Sequence, residues 1–213
     1  MRPAGKVFPN SKTMSKQQRT AKIHRKTAET EITISVDLDG TGRSEIDTGI
    51  AFLDHMLTLF SRHSRIDLKV DAKGDIEVDF HHTVEDTGIV LGQCLKQALG
   101  DKKGIFRYGW ALLPMDETLC RVSLDFSGRP FLEYRAPDQV DTIGIGFSFR
   151  LVEEFLRGLA FNALMNLHVE LLYGRDAHHM AEAVFKGLAR SVDQAIQIDP
   201  RIANQIPSTK ELL

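Results

Sequence analysis

Two short segments of this sequence carry doubled histidines with a glutamate three places after the second: His81, His82 and Glu85 in "HHTVED", and His178, His179 and Glu182 in "HHMAEA". At the start of a helix, side chains three and four places apart share a face, so the imidazoles and the carboxylate of each set project from one side of a single turn. Imidazole nitrogen with carboxylate oxygen is the donor set of a divalent transition metal such as manganese, iron or zinc, and no thiolate accompanies them to favour zinc. One such set alone also fits satisfied surface or core histidines. Its recurrence in the second half of the chain favours a paired metal centre.

Two further candidates come from aligning the halves. "FLDHML" matches "LVEEFL", which puts His55 and Glu154 at equivalent positions. Each half then offers one more helix residue beside its histidine set, eight possible ligands in all, which suits two ions that each keep an open position. His63 follows the first of these helices and is within reach of a site there. His168, between Leu167 and Val169, reads as structural, and His24 as exposed on the approach to the first strand. Arg107 in "GIFRYG" and Arg129 in "DFSGRP" lie in or near turns, where a planar guanidinium meets a phosphate oxygen pair. Ser208, Thr209 and Lys210 in "PSTK" add hydroxyls and an ammonium. Together with a bimetal site, these groups point to a small phosphorylated metabolite.

The elements that must position these residues alternate along the chain. Residues 30–38 place Ile32, Ile34, Val36 and Leu38 on one face of a period-two strand, and "DLDGTGRSEI" turns into a short second strand. Gly49 to about Ser61 predicts a helix with Phe52, Met56, Leu59 and Phe60 on one side. "IDLKVDA" and "DIEVDF" predict two strands, followed by a helix from about Thr83 to Leu99 that "GDKKG" closes. The first half reads ββαββα. In the second, "LCRVSLDF" and "RPFLEYR" predict strands, "GFSFRLVEEFLRGLAFNA" a helix, "NLHVELL" a strand, and residues 179–196 a helix burying Val184, Phe185, Leu188, Val192 and Ile196. The expected fold is an α/β sandwich of the α+β kind: a duplicated unit, 18–104 and 105–213, whose mixed sheets pack on helices in one compact domain. Residues 1–17 form a basic tail that takes no part in it. A targeting peptide is the alternative reading of that stretch.

Composition excludes several function classes. A formal net charge of -2 gives no reason to expect nucleic acid as a partner, and no run reaches the length a membrane span requires. The two cysteines, Cys94 and Cys120, stand in apolar segments and read as reduced core thiols, consistent with the cytoplasm.

The order of "FLDHML", "HHTVED", "GDKKG", "PMDETL", "DFSGRP", "YGRDAHHMAEAVFK" and "PSTK" resembles the signature set of the imidazoleglycerol-phosphate dehydratases, from about Arg19 to Lys210. The resemblance implies a duplicated α/β fold, two manganese ions per site, and a 24-subunit shell with sites between subunits. It also implies a reaction, loss of water from imidazole glycerol phosphate to give imidazole acetol phosphate. By motif match the metal ligands are His55, His81, His82, Glu85, Glu154, His178, His179 and Glu182. Arg107, Arg129, Ser208, Thr209 and Lys210 hold the phosphate, with His63 and Lys186 near the substrate. Glu29 contacts substrate and is the candidate for proton transfer; Glu85 or Glu182 could serve if not held by metal. Four positions depart from the family pattern. Glu154 stands where histidine is frequent, Phe80 where a small polar or acidic residue is common, Trp110 where aspartate is frequent, and Glu211 where glycine is usual. A different two-metal hydrolase and a non-catalytic metal-binding shell protein are the alternatives.

Overall fold

In the computed structural model, which describes residues 18–137 and 142–213, the first half runs β1 (Thr20–Lys26), β2 (Thr30–Asp37), β3 (Ser44–Asp47), α1 (Ala51–Ser64), β4 (Asp67–Gly74) and α2 (His81–Leu99). The second runs β5 (Tyr108–Met115), β6 (Thr118–Asp125), β7 (Phe131–Arg135), β8 (Thr142–Ile143), β9 (Phe147–Ser148), α3 (Leu151–Ala163), β10 (Asn166–Tyr173) and α4 (Ala177–Ile196). The basic tail expected over 1–17 lies outside the described residues.

The two four-stranded sheets have the same plan. One is ordered β1-β2-β4-β3 and the other β5-β6-β10-β7. In each, the first two pairings are antiparallel and the last is parallel. Period-two patterning explains which face is covered: β2 buries Ile32, Ile34 and Val36, and β6 buries Cys120, Val122 and Leu124, while alternate residues turn outward. The buried faces pack on helices, α2 against β1, β2 and β4, and α4 against β5 and β6. The halves join through helix pairs, α2 with α3 and α1 with α4. Within the second half, Phe155 of α3 and Phe185 of α4 meet at 5.1 Å between ring centroids, both fully buried, so aromatic packing adds to the burial energy between those two helices.

Glycine makes the α2–α3 contact possible. A Cβ on Gly88 would sit 2.4 Å from the Phe155 carbonyl oxygen, and one on Gly158 would sit 2.8 Å from that of Glu85. The two backbones touch within a turn of Glu85 and Glu154, bringing their helix starts together.

Three expectations about the elements need correction. The approach to the first strand is itself a strand, β1, so the order is βββαβα and not ββαββα. "DIEVDF" is a turn, with Val78 N–H donating to the Asp75 carbonyl and Ile76 and Val78 exposed; its two aspartates hydrogen-bond to the residues starting α2, which competes with strand pairing. The helix expected from Gly146 begins only at Leu151, because Phe147 and Ser148 pair with Ile143 and Thr142 in a small hairpin. Among the described residues no helix is long and apolar enough to cross a membrane. Cys94 and Cys120 are both free and buried, and burial pushes each thiol up to about 12.

Candidate metal centre and active site

The α1–α4 junction assembles three of the expected ligands. His55 projects from α1 and His178 and Glu182 from the first turns of α4. Their ligand atoms lie within 4.8 Å of one another, the one such group of three among the described residues. The Nε2 atoms of His55 and His178 approach the same oxygen, Glu182 Oε1, at 2.9 Å and 3.1 Å. A divalent ion among them would meet two imidazole nitrogens and a carboxylate oxygen, so the donor set fits manganese, iron or zinc. The imidazoles are 44% and 45% exposed, whereas Glu182 is 10% exposed. Burial alone would raise the Glu182 carboxyl, but Lys186 Nζ at 2.5 Å and the two imidazoles outweigh it and hold the group at about 2. An ionised, acceptor-only carboxylate is the form a cation requires. Phe52 walls the group, its ring 5.2 Å from that of His178 and 4.8 Å from that of Phe147.

The first histidine motif makes a looser pair on α2. His81 Nε2 lies 3.5 Å from Glu85 Oε2, both groups about two-fifths exposed. Glu154, in the first turn of α3, faces Arg157 at 3.7 Å, and among the described residues no cluster of three forms around it. The structure therefore gathers His55, His178 and Glu182, pairs His81 with Glu85, and leaves His82, His179 and Glu154 outside either group.

Each motif's second histidine turns instead to a carboxylate that sequence reasoning missed. His82 Nδ1 lies 3.0 Å and 3.2 Å from the Asp75 oxygens, and His179 Nδ1 lies 2.8 Å from Glu117 Oε2. These hydrogen bonds raise both imidazoles above the ordinary histidine value. Glu117 lies well below the usual carboxylate range, held first by the Asp176 backbone N–H and then by His179. The helix starts were also misplaced. Asp79 Oδ1 accepts the His81 backbone N–H at 2.7 Å, and Asp176 Oδ1 accepts those of His178 and His179 at 2.8 Å and 3.2 Å. The signal was present as an aspartate two places before each histidine pair, "DFHH" and "DAHH". It also accounts for Phe80: the capping carboxylate sits one residue earlier.

Of the substrate candidates, Glu29 in the β1–β2 turn places Oε1 3.8 Å from His82 Nε2. Its hairpin is tied to α2 through Asp86, whose Oδ2 forms an ion pair with Arg25 Nη1 at 2.6 Å and accepts the Thr30 hydroxyl at 2.5 Å. His63 is lowered, by burial first and then by the neighbouring Lys186 and Arg190 charges. Arg107 is engaged internally, with Nε and Nη2 on Asp125 at 2.6 Å and 3.0 Å and Nη1 on the Pro207 carbonyl at 2.9 Å. It thereby anchors the segment carrying Ser208, Thr209 and Lys210. The chain end also lies against the turn before Arg129, where a Cβ on Gly128 would meet the Leu213 carbonyl carbon at 2.8 Å. Glu211 adopts φ 55°, the left-handed conformation that explains why glycine suits this place. His24 on β1 hydrogen-bonds with Thr33 Oγ1 at 2.9 Å, and the His168 ring lies tilted against that of Phe131 at 5.7 Å between centroids; both stand away from the motifs. A recess of about 330 Å³ between the β8–β9 hairpin and the start of α4 is lined by Thr142, Arg175, Asp176 and His178. A wider recess, about 770 Å³, lies along β1, β2 and β4 and contains none of the motif residues.

A family model described as imidazoleglycerol-phosphate dehydratase matches residues 48–192. An imidazoleglycerol-phosphate dehydratase of Xanthobacter autotrophicus is 60% identical over 195 residues, covering 92% of this chain and 98% of the relative. One from Methylorubrum extorquens is 57% identical over 192 residues, covering 90% and 98%. Among solved structures, the Staphylococcus aureus enzyme of that name superposes with a TM-score of 0.76 at 41% identity, over 84% of this chain and 99% of the other. The Pyrococcus furiosus structure does so at 0.77 and 34% identity, over 90% and 100%. With its motifs gathered at the helix starts of such a fold, this chain belongs to the imidazoleglycerol-phosphate dehydratase family.

Proposed function

We propose that the protein removes water from D-erythro-imidazole glycerol phosphate to give imidazole acetol phosphate, a step of histidine biosynthesis, at a centre holding two manganese ions. Family membership makes it a hydro-lyase. The observation that supports the metal reading best is the convergence of His55, His178 and Glu182 across the two halves. Removing water here is hard because the carbon-bound proton next to the ring is not acidic and hydroxide leaves poorly. When bound, manganese supplies Lewis acidity to the ring nitrogens and a template for them. The chain's own residues do the rest. Glu29 takes the carbon-bound proton from a hairpin fixed by the Arg25–Asp86 pair, with Glu85 and Glu182 kept for metal. Arg129, Ser208, Thr209 and Lys210 receive the phosphate, on a tail that Arg107 holds in place. His63 and Lys186 flank the ring end of the substrate.

Within one chain three of the proposed ligands converge and His81 and Glu85 pair, while His82 and His179 are engaged by Asp75 and Glu117. This supports sites shared between neighbouring copies, with these two imidazoles supplied to the partner, in the 24-subunit assembly that the family resemblance implies. Two buried free thiols support a reducing, cytoplasmic location.

The test is a dehydration assay on chelated protein with and without added manganese. Turnover lost on chelation and restored by manganese is the expected result. Manganese binding without turnover of this substrate would instead mark a non-catalytic shell protein, and turnover of simple esters or amides a metal-dependent hydrolase.

A further inference from the structure

We infer that Glu117, which belongs to neither histidine motif, is a positioning residue that decides which nitrogen of His179 is offered to a metal ion. The inference rests on the metal reading above. Glu117 ends the β5–β6 turn, and its two carboxylate oxygens have separate partners. Oε1 accepts the backbone N–H groups of Arg175 at 3.2 Å and Asp176 at 3.0 Å and the Thr118 hydroxyl at 3.0 Å, tying the turn to the start of α4. Oε2 lies 2.8 Å from His179 Nδ1. An ionised carboxylate only accepts, so Nδ1 carries the hydrogen and Nε2 keeps its lone pair. Of the other acidic groups near that ring, Asp176 accepts the backbone N–H groups of His178 and His179, and Asp116, 72% exposed, has its Oδ2 3.7 Å from Nε2, too long for a hydrogen bond that would compete for the tautomer.

The two halves divide this task differently. Glu29 and Glu117 occupy equivalent places, each in the turn between the first two strands of its sheet and each directly before a buried threonine, Thr30 or Thr118. In the second half the glutamate orients the histidine. In the first half Asp75, from the segment after β4, takes His82 Nδ1, and Glu29 stands 3.8 Å from Nε2 without a hydrogen bond. The positioning role has passed to a different residue there, which leaves Glu29 free for substrate.

Glu117→Gln separates the two oxygens' roles. The amide oxygen still serves the Oε1 donors, but the amide N–H2 placed opposite Nδ1 donates, so the histidine hydrogen moves to Nε2 and that nitrogen can no longer ligate. Manganese titration of chelated wild-type and Glu117→Gln protein, followed by calorimetry and electron paramagnetic resonance, is the test. We expect affinity for one ion to fall roughly ten- to a hundred-fold, with the manganese spectrum changed and the metal-free melting midpoint unaltered. Wild-type affinity and spectrum in the variant would overturn the inference. So would an affinity loss that appears only together with a lowered melting midpoint, since that assigns Glu117 a merely structural role. Wild-type protein that binds no manganese would overturn the metal reading and this inference with it, whereas wild-type binding with an unaffected variant overturns the inference alone.

Discussion

Carboxylates around the histidine motifs are told apart by what faces them. Glu182 accepts from two imidazoles and a lysine, Glu117 from backbone N–H groups and one imidazole, and Glu85 lies 3.5 Å from its own helix's histidine. Glu29 is different, because its nearest motif atom is 3.8 Å away and its side chain is 54% exposed. A base must be within reach of its proton and not already engaged, which favours Glu29 over the other three. Glu29→Gln should therefore reduce kcat by about a hundred-fold or more, within the range for loss of a general base, while bound manganese and the melting midpoint stay at wild-type values. Steady-state kinetics beside metal analysis of the same preparation checks this, and near-normal kcat would remove Glu29 from the mechanism.

At the scale of elements, the decisive features are the helix starts and the close contact between α2 and α3. A Cβ on Gly88 would approach the Phe155 carbonyl oxygen to 2.4 Å, and a backbone atom cannot swing aside as a flexible side chain can. Alanine's better helix propensity contributes about 1 kcal/mol in the opposite direction, and overpacking costs about 1–3 kcal/mol, so the steric term decides. Gly88→Ala should lower stability by about 1 kcal/mol, read from denaturant midpoints at constant slope. An unchanged or raised midpoint would mean that the helices part without cost. The strands β2, β4, β6 and β10 and all four helices were legible because hydrophobic period carries them: Ile32, Ile34 and Val36 alternate into the core. β5 was not, because it exposes Tyr108, Trp110 and Leu112 and so breaks the usual link between apolar and buried. "DIEVDF" misled for the opposite reason: it alternates like a strand, but Asp75 and Asp79 spend their carboxylates on His82 and His81. The residues of the His55, His178 and Glu182 cluster were legible from the doubled motif and the alignment of the halves. Asp75 and Glu117 were not, since their link to the histidines is purely spatial, across 7 and 62 positions.

For the whole molecule, the question is why one chain clusters three of the eight proposed ligands and leaves the others apart. α1 and α4 bring together His55, His178 and Glu182, yet His82 and His179 are oriented by carboxylates on other elements. The outer face of β5 adds exposed Tyr108, Trp110 and Leu112, an apolar stretch of the kind that marks contact surfaces. If copies exchange ligands, a metal ion binds the assembled form and not the separated chain, and it stabilises assembly by mass action, about 2.7 kcal/mol at a hundred-fold excess over Kd. Chelation should then move the protein to smaller species in sedimentation velocity, and manganese should restore the larger particle. The stoichiometry of the reversal matters as much as its direction, because an ion held within one chain would change activity while leaving particle size alone. A particle of unchanged size after complete removal of metal would therefore separate the metal centre from assembly, and with it the supply of His82 and His179 to a partner.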